Sequence, residues 1–371
     1  MAQWLEDASA PDGVGDPGRV HEEGRRARMA VESSREAIAS FLGTDASRVV
    51  FTSSATEAAN AAIFGAASSR PHGALLCAGV EHSCVREACR RTGRLVEIPV
   101  HPSGRLHLEA LAGLLAGDRP ALVNCQLGNH EVGVRQPLAE VVALCRRFGV
   151  PVHCDAAAAV GHVPLSFDDL GVDSMSVSAH KFGGPPGIGA LVVRRGMRLA
   201  PFLVGGSEER ARRAGAENVV GIVGFAAACG ALNETVLARE AATAARHSGM
   251  LSTIATEVEG VEVVGDGAAR LPHIACIAVD GVLGEAVLLS LDRAGIAAHS
   301  GSACSSEVLE PSPVLAAMGA DPDSSLRLSV GWSTRDEDIE AFGDAFPEAV
   351  AKLRALQQSS LGTTGPAGSA G

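Results

Sequence analysis

The stretch Ser178-Ala179-His180-Lys181-Phe182-Gly183-Gly184-Pro185-Pro186-Gly187-Ile188-Gly189 stands between two short apolar runs, 174–177 and 190–193. Its glycines and prolines interrupt regular structure, so each run reads as a strand bounded by a turn. Upstream, Asp155 follows a third apolar run, 152–154. If these strands are neighbours, Asp155 and Lys181 both emerge at the carboxyl ends of the strands, where open α/β sheets bind ligands. A lysine that can form a Schiff base, opposite a carboxylate that can keep a pyridine nitrogen protonated, is the minimum kit for pyridoxal phosphate.

The same alternation extends in both directions. Further strands are expected at 49–51, 74–77, 95–99 and 121–124, making seven in all. Between them lie helical patterns at 25–42, 57–67, 85–91, 106–116 and 138–148. This order predicts an α/β protein with a mainly parallel sheet. A long helical pattern over 234–258 leaves that core. Segments 273–279, 286–293, 296–298, 326–329 and 339–356 then read βαββα, a smaller α+β domain. The expected division is 1–238 for the large domain and 239–358 for the small one, with a disordered Ser/Gly/Thr/Pro/Ala tail at 359–371.

Composition narrows the chemistry. In 371 residues, 31 Lys and Arg stand against 43 Asp and Glu, a net charge of −12. That balance argues against direct nucleic-acid binding or an anionic membrane surface, either of which needs a basic face. There is no tyrosine, so no tyrosine can act as acid, base or nucleophile. No apolar run approaches the ~18 residues of a membrane helix. The start, Met1-Ala2-Gln3-Trp4-Leu5-Glu6-Asp7, lacks a secretory pattern, which points to the cytoplasm. Nine cysteines at irregular spacing fit a reducing compartment rather than a disulfide framework. His82, Cys84 and Cys89 are close in sequence but lack a paired metal-ligand spacing, so no metal site is expected.

Other motifs complete the candidate site. In Val50-Phe51-Thr52-Ser53-Ser54-Ala55-Thr56-Glu57 a strand ends, hydroxyls cluster and a helix begins, its first amides suited to a phosphate. The same residues also read simply as a capping box, Ser54-x-x-Glu57. His82 follows a strand and is placed to lie on a cofactor ring; Ser178 and His180 flank the lysine within reach of a phosphate. Cys304, in His299-Ser300-Gly301-Ser302-Ala303-Cys304-Ser305-Ser306, is the thiol with the most exposed setting. Arg327 opens a strand and can clamp a carboxylate through two hydrogen bonds.

From Gly15-Asp16-Pro17 to Gly331, these spaced motifs resemble the cysteine desulfurases, fold-type I pyridoxal-phosphate enzymes of the class V aminotransferase group. Ser300-Gly301-Ser302-Ala303-Cys304 resembles the signature of the long-loop branch, which serves iron–sulfur cluster assembly and thiolation. The resemblance implies that Lys181 carries the cofactor, Asp155 pairs with its pyridine nitrogen, and His82 stacks on the ring and moves protons. It assigns the phosphate to Ala55, Thr56, Ser178 and His180, and the substrate carboxylate to Arg327. L-Cysteine would become alanine, leaving a persulfide on Cys304 for a sulfur-acceptor protein. A homodimer is implied as well.

Departures accompany the matches. The family's Asn-Asn-Glu is Asn129-His130-Glu131 here, and its Asp-Ala-x-Gln is Asp155-Ala156-Ala157-Ala158. The amide that donates to the cofactor's phenolic oxygen is thus missing, and His130 is the expected substitute. Ala216 replaces a threonine that reaches the neighbouring subunit's phosphate. The family's Asp-x-Ala-x-Thr segment does not precede Gly15, so either the true start lies upstream or activity is reduced. A selenocysteine lyase, another carbon–sulfur lyase and a catalytically impaired sulfur-transfer scaffold are the alternatives.

Overall fold

The computed structural model describes residues 1–9, 15–117, 120–265, 267–300 and 311–362. Its contacts divide the chain into two units. The first comprises Met1–His101, Arg105–Asn129 and Arg135–Ala241; the second comprises Pro102–Gly104, His130–Val134 and Ala242–Gly371. The division falls inside helix Glu234–Thr256. Two short pieces, 102–104 and 130–134, leave the first unit in sequence to join the second, which local patterning does not reveal.

The first unit is built on seven strands: β1 (Val49–Thr52), β2 (Leu75–Ala78), β3 (Leu95–Ile98), β4 (Leu122–Asn124), β5 (Val152–Asp155), β6 (Ser174–Ser178) and β7 (Gly189–Val193). They lie in the order β1-β7-β6-β5-β4-β2-β3. All pairings are parallel except those of β7, which runs antiparallel to β1 and to β6. The turn from Ser178 to Gly189 is too short for a crossover helix, so β7 must fold back against β6. Every strand but edge strand β3 is fully buried. Runs of Val, Leu, Ile and Cys suit strands covered on both faces.

Helix Ala55–Ser69 crosses the middle of this sheet, touching β5, β6 and β7. Alanine and glycine dominate its buried side: Ala58, Ala59, Ala62, Gly65 and Ala66 allow a close approach. On the far edge, Arg35 of helix Glu22–Phe41 is buried against β1. Its guanidinium binds both oxygens of Glu209 at 2.8 and 2.7 Å and donates to the Val49 carbonyl at 3.1 Å. Glu209 also accepts from Phe51 N at 2.9 Å. Glu209, Arg210 and Ala211 all have left-handed backbones, with φ of 48°, 59° and 58°. Such a conformation costs energy in non-glycine residues and is offset here by the buried ion pair.

The second unit holds four antiparallel strands, β8 (Val261–Val263), β9 (Ile274–Val279), β10 (His299–Ser300) and β11 (Ser325–Ser329), ordered β10-β11-β9-β8. Ile277, Val279, Val287, Leu291, Leu326, Leu328, Phe342, Phe346 and Val350 form its core. Phe342 and Phe346, one helical turn apart, stack with ring centroids 5.0 Å apart. The expected strand at 296–298 is displaced to His299–Ser300. Strand β8 and helix Pro313–Met318 were not anticipated. The final helix runs from Asp336 to Gly362, so 359–362, expected in a disordered tail, are helical; 363–371 lie outside the described residues. Among the described residues no single helix is long and apolar enough to cross a membrane.

Candidate active site

Lys181 lies in a single 3₁₀ turn, Ala179–Phe182, which continues directly from β6 and stops at Gly183 with φ of 88°. Lys181 and His180 are exposed, while Ala179 and Phe182 are buried and hold the turn to the sheet. Gly161 packs so tightly there that an added Cβ would sit 2.3 Å from the Cβ of Phe182. The next residue, His162, donates from Nε2 to the Lys181 carbonyl at 3.0 Å. Burial holds His162 below the usual histidine range, aided by the Lys181 charge and opposed by that hydrogen bond. His180 is lowered for the same two reasons, burial and then Lys181.

Asp155 ends β5 directly opposite Ser176 of β6. Its Oδ1 accepts from Ser176 Oγ at 2.9 Å and from Ala157 N at 3.0 Å. Oδ2 has no hydrogen-bond partner among the described residues and remains open to an incoming N–H donor. The pattern Ser174-Met175-Ser176-Val177-Ser178 puts three hydroxyls on one face of β6. Each has a partner: His153 Nδ1 at 3.0 Å, Asp155, and His180 Nδ1 at 2.9 Å.

Strand β7 brings the third part of the site to the lysine. Thr52, Gly189 and Ser178 stand in register across β1, β7 and β6. A Cβ on Gly189 would fall 2.6 Å from the Val177 oxygen and 2.7 Å from the Ser54 carbonyl carbon. Glycine therefore lets the start of helix Ala55–Ser69 approach β6. Ser54 caps that helix by accepting from Glu57 N at 3.3 Å, but Glu57 reaches back to Ser53 N at 2.8 Å, one residue before the expected position. The amides of Ser54, Ala55 and Thr56 are left without acceptors among the described residues, at the positive end of a 15-residue helix. Glu57 would oppose an anion there, but Arg213 pairs with both of its oxygens at 2.8 and 3.2 Å. Burial raises the Glu57 carboxyl; Arg213 and the Ser53 amide outweigh it and hold the group below the usual range.

His82 follows β2 and caps helix Ser83–Arg91, its Nδ1 accepting from Cys84 N at 3.1 Å. That bond fixes the proton of the neutral ring on Nε2. An open amide cluster, two flanking hydrogen-bonding side chains, an available carboxylate oxygen and an exposed lysine match the donors and acceptors of pyridoxal phosphate.

The second unit contains the other candidates. Arg327 of β11 donates from Nη1 to the His130 carbonyl at 3.1 Å and pairs in register with His299 of β10. Its Nε is buried without a partner among the described residues. His130 Nε2 lies 3.4 Å from Glu131 Oε1, and Glu131 accepts from Ser312 Oγ, the cap of helix Pro313–Met318. Cys304 lies outside the described residues.

Sequence reasoning overlooked Ser176, His162, the Glu57–Arg213 pair and the buried Glu81. The alternating serines of β6 were a readable signal for Ser176. The capping box marks Glu57, but nothing local pairs it with Arg213 or distinguishes Glu81 from a surface charge.

The aminotransferase class-V profile matches residues 12–342. A cysteine desulfurase of Nostoc sp. is 39% identical over 356 residues, covering 93% of this chain and 88% of the relative. The solved structure of a NifS-like protein from Rickettsia africae superposes with a TM-score of 0.85 at 28% identity, covering 95% of this chain and 96% of the other. A structure described as SspA in complex with cysteine gives a TM-score of 0.76 at 27% identity, covering 89% and 95%.

Proposed function

The chain belongs to the aminotransferase class-V family, and from that premise we propose that it is a pyridoxal-phosphate-dependent cysteine desulfurase. It converts L-cysteine to L-alanine: the substrate Cβ–S bond breaks, Cβ takes up a proton, and a new S–S bond leaves a persulfide on Cys304. The observation that carries this reading is Asp155 at the end of β5 and Lys181 in the turn that continues the adjacent parallel strand β6, with three open helix amides brought in across β7. Near-full-length identity to a cysteine desulfurase, and a fold shared with a protein solved with cysteine, support the substrate.

When bound, pyridoxal phosphate supplies the electron sink that makes cleavage at Cα and Cβ accessible. The amides of Ala55 and Thr56, with Ser178 and His180, would hold its phosphate. Asp155 Oδ2 would accept the pyridine N–H, while Ser176 and the Ala157 amide fix the carboxylate through Oδ1. Lys181 Nζ would anchor the cofactor and remove the substrate Cα proton. His82 would serve the ring and move protons through Nε2. Arg327 would take the substrate carboxylate, and His130 would donate to the phenolic oxygen in place of the amide missing at Ala158. Cys304 is the nucleophile.

The same reading makes the enzyme a homodimer that passes sulfur to an acceptor protein. It separates a cofactor-binding domain, 1–238, from a domain bearing the nucleophile, 239–358, with 359–371 beyond it. Free cysteines at eight described positions support a cytoplasmic setting.

The test is direct. The protein loaded with pyridoxal phosphate is given L-cysteine without reductant, and alanine and the Cys304 persulfide are quantified by mass spectrometry. Stoichiometric alanine and persulfide, both lost in Cys304→Ala, are expected. Alanine formation that survives Cys304→Ala, with no persulfide, would overturn the assignment in favour of another carbon–sulfur lyase.

A further inference from the structure

Within electrostatic reach of Asp155 lies an acid to which the reaction gives no role. Glu81 follows β2, is only 1% exposed, and has its Oε1 hydrogen-bonded to Gln126 N at 2.7 Å. Its Oε2 is buried with no hydrogen-bond partner among the described residues. The loop around it is tied by side-chain hydrogen bonds: Val80 O accepts from Gln126 Nε2 at 2.7 Å and from Asn129 Nδ2 at 2.9 Å. Among the described residues, Asp155 is the charged group that acts on the carboxyl, and no cation offsets it. The titratable groups in electrostatic contact with it are Asp155 at the end of β5 and the thiols of Cys77, Cys84, Cys125 and Cys154. An ionised carboxylate in such a pocket would lack compensation for its lost hydration. A protonated one keeps its single bond to Gln126 and places no second negative charge beside Asp155.

We propose that Glu81 is a positioning residue that carries a proton at neutral pH, so that Asp155 alone presents negative charge to the cofactor's pyridine nitrogen. Burial is the main cause, the Asp155 charge adds to it, and the Gln126 amide opposes both; together they push the carboxyl up to about 8. Above that pH a second negative charge acts on Asp155. The catalytic consequence rests on the desulfurase reading, whereas the proton belongs to the polypeptide itself and is measured without cofactor.

Difference infrared spectra of the apoprotein between pH 6 and pH 9.5 test the proposal. A protonated-carboxyl band that disappears with a midpoint near 8, and is absent in the isosteric Glu81→Gln, is expected. Stability gives a second readout. The folded carboxyl keeps its proton above the unfolded value, so wild-type stability contains a term that falls as pH rises from about 4.5 to 8 and that Glu81→Gln lacks. In the loaded enzyme, the pH profile of kcat/KM should lose its ionisation near 8 in the same variant. No carboxyl band at pH 6, or a band that persists in Glu81→Gln, overturns the proposal. Should that variant fail to fold, carboxyl carbon-13 titration of the glutamate-labelled wild type decides: a group with a midpoint near 8 sustains the idea and none removes it. Failure of the desulfurase assignment would leave the infrared result standing, and failure of the infrared result would leave alanine and persulfide formation untouched.

Discussion

Ser176 Oγ donates to Asp155 Oδ1 at 2.9 Å, across the parallel pairing of β5 and β6, inside the sheet. Hydrogen bonds to a charged group contribute more than neutral ones, about 1.5–3 kcal/mol. Ser176→Ala should leave the fold intact and weaken pyridoxal phosphate binding roughly tenfold, read by fluorescence titration of the apoprotein. Unchanged affinity would mean that the Ala157 amide alone is enough to fix the carboxylate.

Gly189 is confined by space, since its missing Cβ would meet Val177 and the Ser54 backbone. Gly189→Ala is expected to cost about 1–3 kcal/mol in denaturant unfolding, as overpacking commonly does, and to impair cofactor binding. Gly113, inside helix Leu108–Ala116 with nothing within 4 Å, is the contrast. There the alanine substitution should stabilise by about 0.5–1 kcal/mol.

Arg213 silences the Glu57 carboxylate at the positive end of a helix where the amides of Ser54, Ala55 and Thr56 lack acceptors among the described residues. Arg213→Ala should expose a phosphate to that carboxylate and lower pyridoxal phosphate affinity roughly three- to tenfold. Adding Glu57→Gln should restore most of it. A double variant as weak as the single one would show that Arg213 acts through something other than Glu57.

His153 lies fully inside the sheet, and burial pushes its imidazole down to about 4 against the pull of the Asp155 charge. The folded form stays neutral while the unfolded chain takes up a proton near 6.5. This contribution to stability is therefore complete above about 6.5 and is lost as pH falls towards 4. The loss amounts to about 3 kcal/mol. Thermal melts from pH 7 to pH 4.5 should decline more steeply for the wild type than for His153→Gln; parallel curves would contradict this.

The strands of the first unit were legible because β-branched and other apolar runs end at glycine and proline, and because covered strands need no polar alternation. Helix Ala55–Ser69 could be anticipated from its composition and cap, yet the cap's return bond lands on Ser53. The reversal of β7 follows from the short turn after Ser178, a matter of connection length that local propensity does not express. What remained hidden was non-local: pieces 102–104 and 130–134 join the second unit through contacts made far along the chain. For Glu81, an acid beside a histidine looks like surface charge until the neighbouring thiols and Gln126 are seen to enclose it.

The reversed strand also imposes an order of assembly. Strand β1 has a single neighbour in the sheet, β7, and Val49 lies opposite Val192, well over a hundred residues later. On the ribosome, the first strand made must wait unpaired until the last one of its sheet has emerged. The alanine-rich helix behind it waits as well, because its seat spans β5, β6 and β7. Such distant pairing closes slowly. A nascent chain that stops short of residue 189 therefore contains the helix amides but has no strand to carry them to the lysine.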